Sequence, residues 1–265
     1  VAEPTALDVS VAFSGGVSGT YTLQSVLGVD KESWGSKSTG GRVRTIPGPV
    51  MSEFHYYVPT SDPHVAVWFF VRRYATGATE VETVVENGWL RVASPGQKDY
   101  SVTVRVGGNS VYGPASLSHL HHTRWSRVDW IGVDPRVTPK HDGAYLTATL
   151  LVPNYGDFGQ PSDATLSGLS QSATPFAQAG WPSVMGNAGG GGCILNNWDA
   201  LYVNSGDVRA YRAVIANSQA AGRYGIHYRD ETTGNAPLYS SYTGYVYGSN
   251  PGISDVGSGT STFPP

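Results

Sequence analysis

Residues 226–231, which read IHYRDE, place more chemically capable side chains in succession than any other part of the chain. Histidine has a pKa near neutrality and can act as a base, while arginine can neutralise a substrate carboxylate. A polysaccharide lyase needs this combination to remove the proton beside a uronate carboxylate. The segment is therefore the candidate catalytic site, and its residues are His227, Tyr228, Arg229 and Asp230.

Two interpretations of this segment make different predictions. In the catalytic one, His227 or Tyr228 removes the proton, Arg229 binds the uronate and Asp230 orients the base. In the structural one, Arg229 is buried against a carboxylate or helix-end carbonyls, because polar clusters also pin loops. An extended backbone would place Glu231 on the same side as His227 and Arg229. We favour the structural role for Arg229 and the catalytic role for His227.

A second group of candidates lies at residues 119–125, which read HLHHTRW. On a strand, His119 and His121 would share a face and could both bind one metal ion. Asp129 or His141 would have to complete the site, and we predict neither a metal nor another cofactor. A sugar-binding surface is the stronger interpretation, because aromatic faces stack on pyranose rings, although large aromatic residues also favour the core. The candidate substrate-binding residues are His122, Arg124, Trp125, Trp130, Trp181 and Tyr239.

Carboxylates that could serve a glycoside hydrolase are numerous. Hydrolysis requires two of them about 5–10 Å apart, a spacing that many pairs could meet. The chain has no serine nucleophile elbow, HExxH motif, EF-hand loop or dinucleotide fingerprint, and its glycine-rich stretch at 185–193 lacks the ending of a phosphate loop. The carboxylate candidates are Glu80, Glu82, Glu86, Asp129, Asp230 and Glu231.

The composition excludes several classes of partner. Charged residues make up 14% and the net charge is −3, so no basic surface is expected for nucleic acid. No apolar run approaches the roughly 20 residues of a membrane helix, which argues against membrane insertion. The 34 glycines, 16 tyrosines and 7 tryptophans are typical of secreted, virion and carbohydrate-handling proteins. We therefore expect an extracellular, cell-surface or phage-virion location.

The ends and the single cysteine add little to this picture. One cysteine, Cys193, permits no disulfide within the chain. The first residues, VAEPT, contain neither an initiator methionine nor a signal-peptide pattern, so we expect a mature product or an excised piece.

The first part of the chain is predicted to be β-structure. Apolar and polar residues alternate with a period of two in segments such as 64–75, 79–87 and 99–106, and turn-forming residues separate these segments. About ten short strands of this kind favour an antiparallel sandwich or barrel. We predict an antiparallel β-sandwich domain over residues 1–153, with its last strands at 116–133 and 143–153.

Residues 154–240 are predicted to form a helical hairpin region. Helices are expected at 198–204 and 207–221, because capping residues and helical spacing of apolar residues coincide there. Residues 241–265 are rich in Gly, Ser, Tyr and Pro and are expected to be a tail or loop. The side chains expected to be buried in the second helix are Val208, Tyr211, Val214 and Ile215.

The order HTRW, YLTATLLVPNY and NNWDALYVNSGDVRAYRAVIANSQAAGRYGIHYRDETTG resembles a group of bacterial and phage-encoded proteins. These proteins are similar in plan to polysaccharide lyases and glycoside hydrolases, exo-rhamnogalacturonan lyases among them, in which a β-sandwich precedes an (α/α) toroid. The resemblance covers residues 64–240 and is most distinctive at 198–231. It implies a mainly β chain with a C-terminal α part, in which the hairpin is the first of a toroid-like region.

The resemblance implies a carbohydrate-active module that acts on extracellular polysaccharide, as the front part of a lyase or hydrolase. A closed toroid needs more helices than the sequence predicts, so the chain is expected to be the front of a longer protein or a shortened relative. The alternative is a non-enzymatic virion or cell-surface protein that binds glycan or a partner protein. That alternative includes homo-oligomer formation or virion assembly.

Overall fold

The computed structural model describes residues 1–90, 92–94, 96–132, 134, 138–169, 195, 197–221, 227–238 and 240. These described residues contain nine β-strands, and every pairing between them is antiparallel. The predicted mainly antiparallel β fold is therefore confirmed. The strands are β1 (Val9–Gly15), β2 (Gly19–Thr22), β3 (Gly41–Ile46), β4 (Met51–Pro59), β5 (Ala66–Tyr74), β6 (Thr79–Asn87), β7 (Lys98–Val106), β8 (Asn109–His119) and β9 (Thr123–Ile131).

The strands form two sheets, in the manner of a β-sandwich. One sheet has the order β2-β1-β7-β8 and the other has the order β3-β4-β5-β6-β9. The Tyr100 hydroxyl of the first sheet accepts a hydrogen bond of 2.8 Å from the Trp125 indole nitrogen of the second. Strand residues two apart share a face, and one such face of each sheet is buried. The buried side chains are Val9, Val11, Phe13, Tyr100, Val102 and Val104 in the first sheet and Phe54, Tyr56, Phe69, Val71, Val81, Val85 and Trp125 in the second.

The structure separates into two compact units, and the segment that follows the helices belongs with the sheets. Described residues up to 134 and from 227 onward form one unit, while those from 138 to 221 form the other. The second unit contains α1 (Gly143–Ala148), α2 (Asp163–Ser167), α3 (Asn197–Ser205), α4 (Val208–Ala221) and a 3-10 helix (Tyr155–Phe158). Within the part of the chain that is described, no helix has the length and apolar character that crossing a bilayer requires.

The prediction of a strand at residues 143–153 is wrong. Helix α1 begins there instead, because the Asp142 side chain accepts a hydrogen bond of 2.9 Å from the Tyr145 backbone N–H and caps the helix. Leu150 and Leu151 follow the helix and are exposed rather than buried in a sheet. Alternation over a few residues did not outweigh the local cap and the helix-favouring alanines and leucine.

Helices α3 and α4 form the predicted hairpin. Gly206, at a positive φ of 66°, ends α3 after Ser205, and the Asp207 carboxylate accepts from the Arg209 backbone N–H at 2.8 Å as α4 begins. The rings of Tyr202 and Tyr211 lie 5.5 Å apart between the two helices. The tight turn and these contacts fit an antiparallel pair.

The predicted buried side of α4 is wrong in part. Val208 and Ile215 are 43% and 40% exposed, and Tyr211 and Val214 are only half-buried. The apolar residues and the alanines both repeat with helical spacing, so spacing alone did not identify the packed face. Small side chains let neighbouring backbones approach closely, which explains why the alanines occupy that face. Among the α4 side chains that the structure describes, the buried ones are Ala210, Ala213, Ala216 and Asn217.

Ala213→Asp is expected to lower the free energy of unfolding of the helical unit by about 2–4 kcal/mol, because it places an unpaired charge in a packed face. Ile215→Asp, which introduces the same group at an exposed position of the same helix, is the matched control and should cost about 1 kcal/mol or less. Thermal unfolding followed by the helical circular-dichroism signal measures both. Equal losses in the two variants would show that the alanine face is not the packed one.

Candidate functional site

Residues 227–238, called here the returning segment, are hydrogen-bonded to the sandwich after the chain leaves α4. The His227 backbone N–H donates to the His122 carbonyl at 3.0 Å, and the Arg229 N–H donates to the Gly88 carbonyl at 2.8 Å. The Arg229 carbonyl in turn accepts from the Leu90 N–H at 3.0 Å. The segment therefore pairs with the residues that follow β6, and this pairing fixes the position of the candidate catalytic residues.

Arg229 has the structural role that the sequence favoured. Its guanidinium donates to both carboxylate oxygens of Glu86, at 2.5 and 3.1 Å, and to the Gly234 carbonyl at 2.6 Å. The guanidinium carbon also lies 4.3 Å from the centre of the Trp68 ring. Burial alone would raise the pKa of Glu86, but the charge and hydrogen bonds of Arg229 outweigh it and hold that pKa below its usual range. Arg229, the cation proposed to bind a uronate, is therefore already paired with the buried carboxylate of Glu86.

Asp230 shapes the turn of the returning segment. One carboxylate oxygen accepts from the backbone N–H groups of Thr232 and Thr233 at 2.7 and 3.2 Å. Gly234 adopts a positive φ of 69° beneath the Trp34 ring, and an added Cβ would lie only 2.3 Å from that ring. These contacts give Asp230 a role in backbone geometry that does not require a neighbouring catalytic base.

The three histidines at residues 119–122 are buried and do not form the predicted strand pair. Residues 120–122 are the turn between β8 and β9, so His119 and His121 are not alternate residues of one strand. His119 is hydrogen-bonded to the Tyr100 hydroxyl at 2.8 Å and to the Thr123 carbonyl at 3.0 Å. His122 has a φ of 60° and lies 3.7 Å from the His121 ring. In the described ranges, no group of three or more His, Cys, Asp or Glu side chains could hold a metal ion.

Burial keeps these histidines neutral. It lowers the pKa of His119 and of His121 to about 4, and that of His122 to about 3. The His122 ring lies 4.3 Å from the ring of Tyr228, so one candidate binding residue and one candidate catalytic residue pack against each other. The structure thus brings His122 and the returning segment together.

The other candidate binding residues fall into different environments. Trp125 is 0% exposed, so its ring is in the core as the alternative interpretation held, and the prediction that it stacks on a sugar is wrong. Arg124 is half-buried opposite Glu86 in the strand register. Trp130 is also half-buried, and its ring lies 5.6 Å from that of Tyr74. Trp181 and Tyr239 lie outside the described residues.

Two of the predicted carboxylates meet on what we call the outer face, the side of the five-stranded sheet opposite the core. The guanidinium of Arg72 binds Glu80, binds Glu82 at 3.3 Å and binds Glu53 at 3.0 Å. His55 contacts the second oxygen of Glu53 at 2.6 Å. Sequence reasoning did not single out Glu53 or Arg72, and it considered His55 only on a strand whose exposed face could carry aromatics for ligand stacking. The alternation of these residues along β4 and β5 matches that of Glu80 and Glu82 along β6.

The carboxylates of the outer face are better suited to accept hydrogen bonds than to donate protons. Burial tends to raise the pKa of Glu53, but hydrogen bonds from His55 and Arg72 outweigh it, so the pKa lies below its usual range. Glu53 is therefore ionised at neutral pH. Within the described part of the chain, Glu80 Oε2 and Glu82 Oε1 have no hydrogen-bond partner and are not buried. Trp130 lies directly opposite Glu80 in the register, so the two side chains are cross-strand neighbours on the outer face.

Comparisons of the chain with protein-family models, with curated proteins and with solved structures found no match.

Arg229→Ala is expected to lower the free energy of unfolding by about 3–5 kcal/mol, because it leaves the charge of Glu86 buried without a partner. The double variant Glu86→Leu/Arg229→Met should lose less than Arg229→Ala, since it removes both charges. Arg44→Ala, at an exposed arginine of β3, is the control and should change stability by no more than about 0.5 kcal/mol. Chemical denaturation measures all three, and an Arg229→Ala loss as small as that of the control would contradict the structural role.

Acidification is expected to destabilise the sandwich. An unfolded histidine titrates near pH 6.5, well above the pKa values of about 4, 4 and 3 for the buried His119, His121 and His122. In that interval the unfolded chain binds more protons than the folded one, so the free energy of unfolding falls as the pH is lowered from about 6.5 toward about 4. Denaturation across this range should show a shallower slope for His122→Asn, because asparagine tolerates a positive φ and does not titrate. An unchanged slope would remove His122 from the effect.

Proposed function

We propose that the chain is a non-enzymatic glycan-binding module that holds a saccharide on the outer face of its five-stranded sheet. The observation that carries this proposal is the combination of fixed carboxylates and a half-buried aromatic pair on that face. Glu80 and Glu82 share the guanidinium of Arg72, and Trp130 packs against Tyr74 beside them. Carboxylate oxygens accept hydrogen bonds from sugar hydroxyls, and the faces of aromatic rings accommodate the apolar side of a pyranose.

The rigidity of the carboxylates supports binding. Arg72 binds carboxylates from β4 and from two positions of β6, so each side chain is restrained before a ligand arrives. A ligand that meets fixed hydrogen-bond acceptors loses less free energy to the ordering of side chains. The side chains are also carried by strands, which hold a site more accurately than loops do.

The catalytic interpretation of the returning segment has less support. Arg229 is bound to Glu86, and Tyr228 packs against His122, so two of the four candidates are engaged within the sandwich. A relation to the sandwich-and-toroid lyases remains compatible with the proposal, with the sheets as the accessory, sugar-binding part and α3 and α4 as the first hairpin of a toroid-like region. In that case any catalytic residues would lie elsewhere in a longer protein.

Isothermal titration calorimetry with neutral and acidic oligosaccharides tests the proposal. Trp130→Ala should weaken binding about tenfold, since it removes the stacking ring, and Glu82→Gln should weaken it by a smaller factor. Glu32→Gln changes an exposed carboxylate that is not among the residues of the outer face, and it should leave affinity unchanged.

The same samples distinguish binding from catalysis. New ultraviolet absorbance from an acidic polysaccharide would indicate a lyase, and new reducing ends would indicate a hydrolase. Either activity would overturn the non-enzymatic proposal. Absence of binding to every saccharide, or binding that Trp130→Ala and Glu82→Gln leave intact, would overturn the assignment of the outer face.

A further inference from the structure

The helical unit contains a cavity that neither the sequence candidates nor the outer face includes. Its volume is about 400 Å³, which lies within the range of roughly 300–1,000 Å³ typical of small-molecule sites. One wall is α1, another is the segment around the 3-10 helix Tyr155–Phe158, and a third is the end of α3. All of these elements belong to the same compact unit.

None of the residues that line the cavity carries a charged side chain. Three of them are primary amides, namely Asn154, Gln160 and Asn204. The remaining polar groups are the hydroxyls of Thr147 and Tyr155, and the other lining residues are small or aliphatic. An amide offers both a donor and an acceptor, so the lining matches groups that also do both, which is the property of a sugar hydroxyl.

Internal hydrogen bonds orient the amides. The Asn204 side-chain nitrogen donates to the Gly159 carbonyl at 2.7 Å, and its oxygen accepts from Gln160 at 3.3 Å. The Asn154 nitrogen donates to the Asp157 carboxylate at 2.7 Å. Across the described residues, the oxygens Asn154 Oδ1 and Gln160 Oε1 then have no further protein partner. These acceptors are available to a bound ligand.

The charges around the cavity disfavour an anionic ligand. No lysine or arginine lines the cavity, and the charged side chain bonded to its lining at Asn154 is the carboxylate of Asp157. A uronate or a phosphate would therefore find no counter-charge among the lining side chains and would be repelled by the nearby Asp157 carboxylate, which is unfavourable. A neutral ligand avoids that cost and can still place its apolar face against the half-buried ring of Tyr155.

We propose that this cavity, the amide pocket, is a second binding site that takes a neutral polyhydroxyl ligand of one or two sugar rings. The site is independent of the outer face, because the two lie in different compact units and share no residue. The proposal goes beyond glycan binding by the sheets and would make the helical unit a binding domain in its own right.

The test is nuclear magnetic resonance titration of the full chain with cellobiose, maltose and lactose, with galacturonate as the anionic probe. We expect shifts in amides of residues 143–160 and 203–204 for the neutral probes only, separate from any shifts that the outer face shows. Trp130→Ala, which alters the outer face, should leave these shifts intact, so the two sites can fail separately. Tyr155→Ala and Gln160→Leu should each weaken the interaction at least several-fold, whereas Asn109→Ala, an exposed amide on β8, is the matched control and should not.

The variants are first compared with the parent chain by circular dichroism, so that a loss of folding is not counted as a loss of binding. Persistence of the shifts in both Tyr155→Ala and Gln160→Leu would overturn the proposal. So would tighter binding of galacturonate than of the neutral sugars, or the absence of shifts with every probe at millimolar concentration.

Discussion

The ion pair between Glu86 and Arg229 is the constraint on which the organisation of the chain depends. It joins the end of β6 to a residue 143 positions later, after the whole helical unit has been traversed. Glu86 is only 2% exposed, so its charge is tolerable only while the guanidinium is in place. The chain therefore leaves the sandwich after β9 and is held to it again by a contact whose loss would strongly lower the free energy of unfolding.

The same contact organises one half of the outer face of the five-stranded sheet. Arg229 lies over Trp68, whose ring is stacked with that of Trp34 at 6.2 Å, and Trp34 donates from its indole nitrogen to the Glu231 carbonyl at 2.9 Å. Tyr57 and Trp89 pack into this cluster. The sheet is thus covered by aromatic side chains at one end, while the end around Arg72 keeps charged groups in contact with water. That division explains why the charged end is the better candidate for a ligand.

The polar residues of the returning segment stabilise the fold, although their types are those that catalysis uses. A histidine, an arginine and an aspartate in succession have the types that catalysis uses, yet Arg229 neutralises a buried carboxylate and Asp230 holds a turn. A polar group in a protein interior needs a partner whatever its role, so clusters of this kind arise wherever a loop must be tied to a sheet. The half-buried carboxylates around Arg72 differ, because Glu80 and Glu82 retain acceptor oxygens that the described protein does not use.

The sequence by itself determined the features that repeat over short distances. Alternation with a period of two identified the strands at 64–75, 79–87 and 99–106, and caps with helical spacing identified the hairpin of α3 and α4. Alternation at 143–153 was insufficient, because a single capping aspartate redirected that segment into a helix, and helical spacing did not distinguish the alanine face of α4 from its apolar neighbours. Only the tertiary structure decided that Glu86 meets Arg229, that Trp125 is in the core and that Glu53 joins Glu80 and Glu82 around Arg72. These contacts depend on which strands become neighbours and in which register, and that choice is made by the burial of the whole sheet rather than by any local pattern.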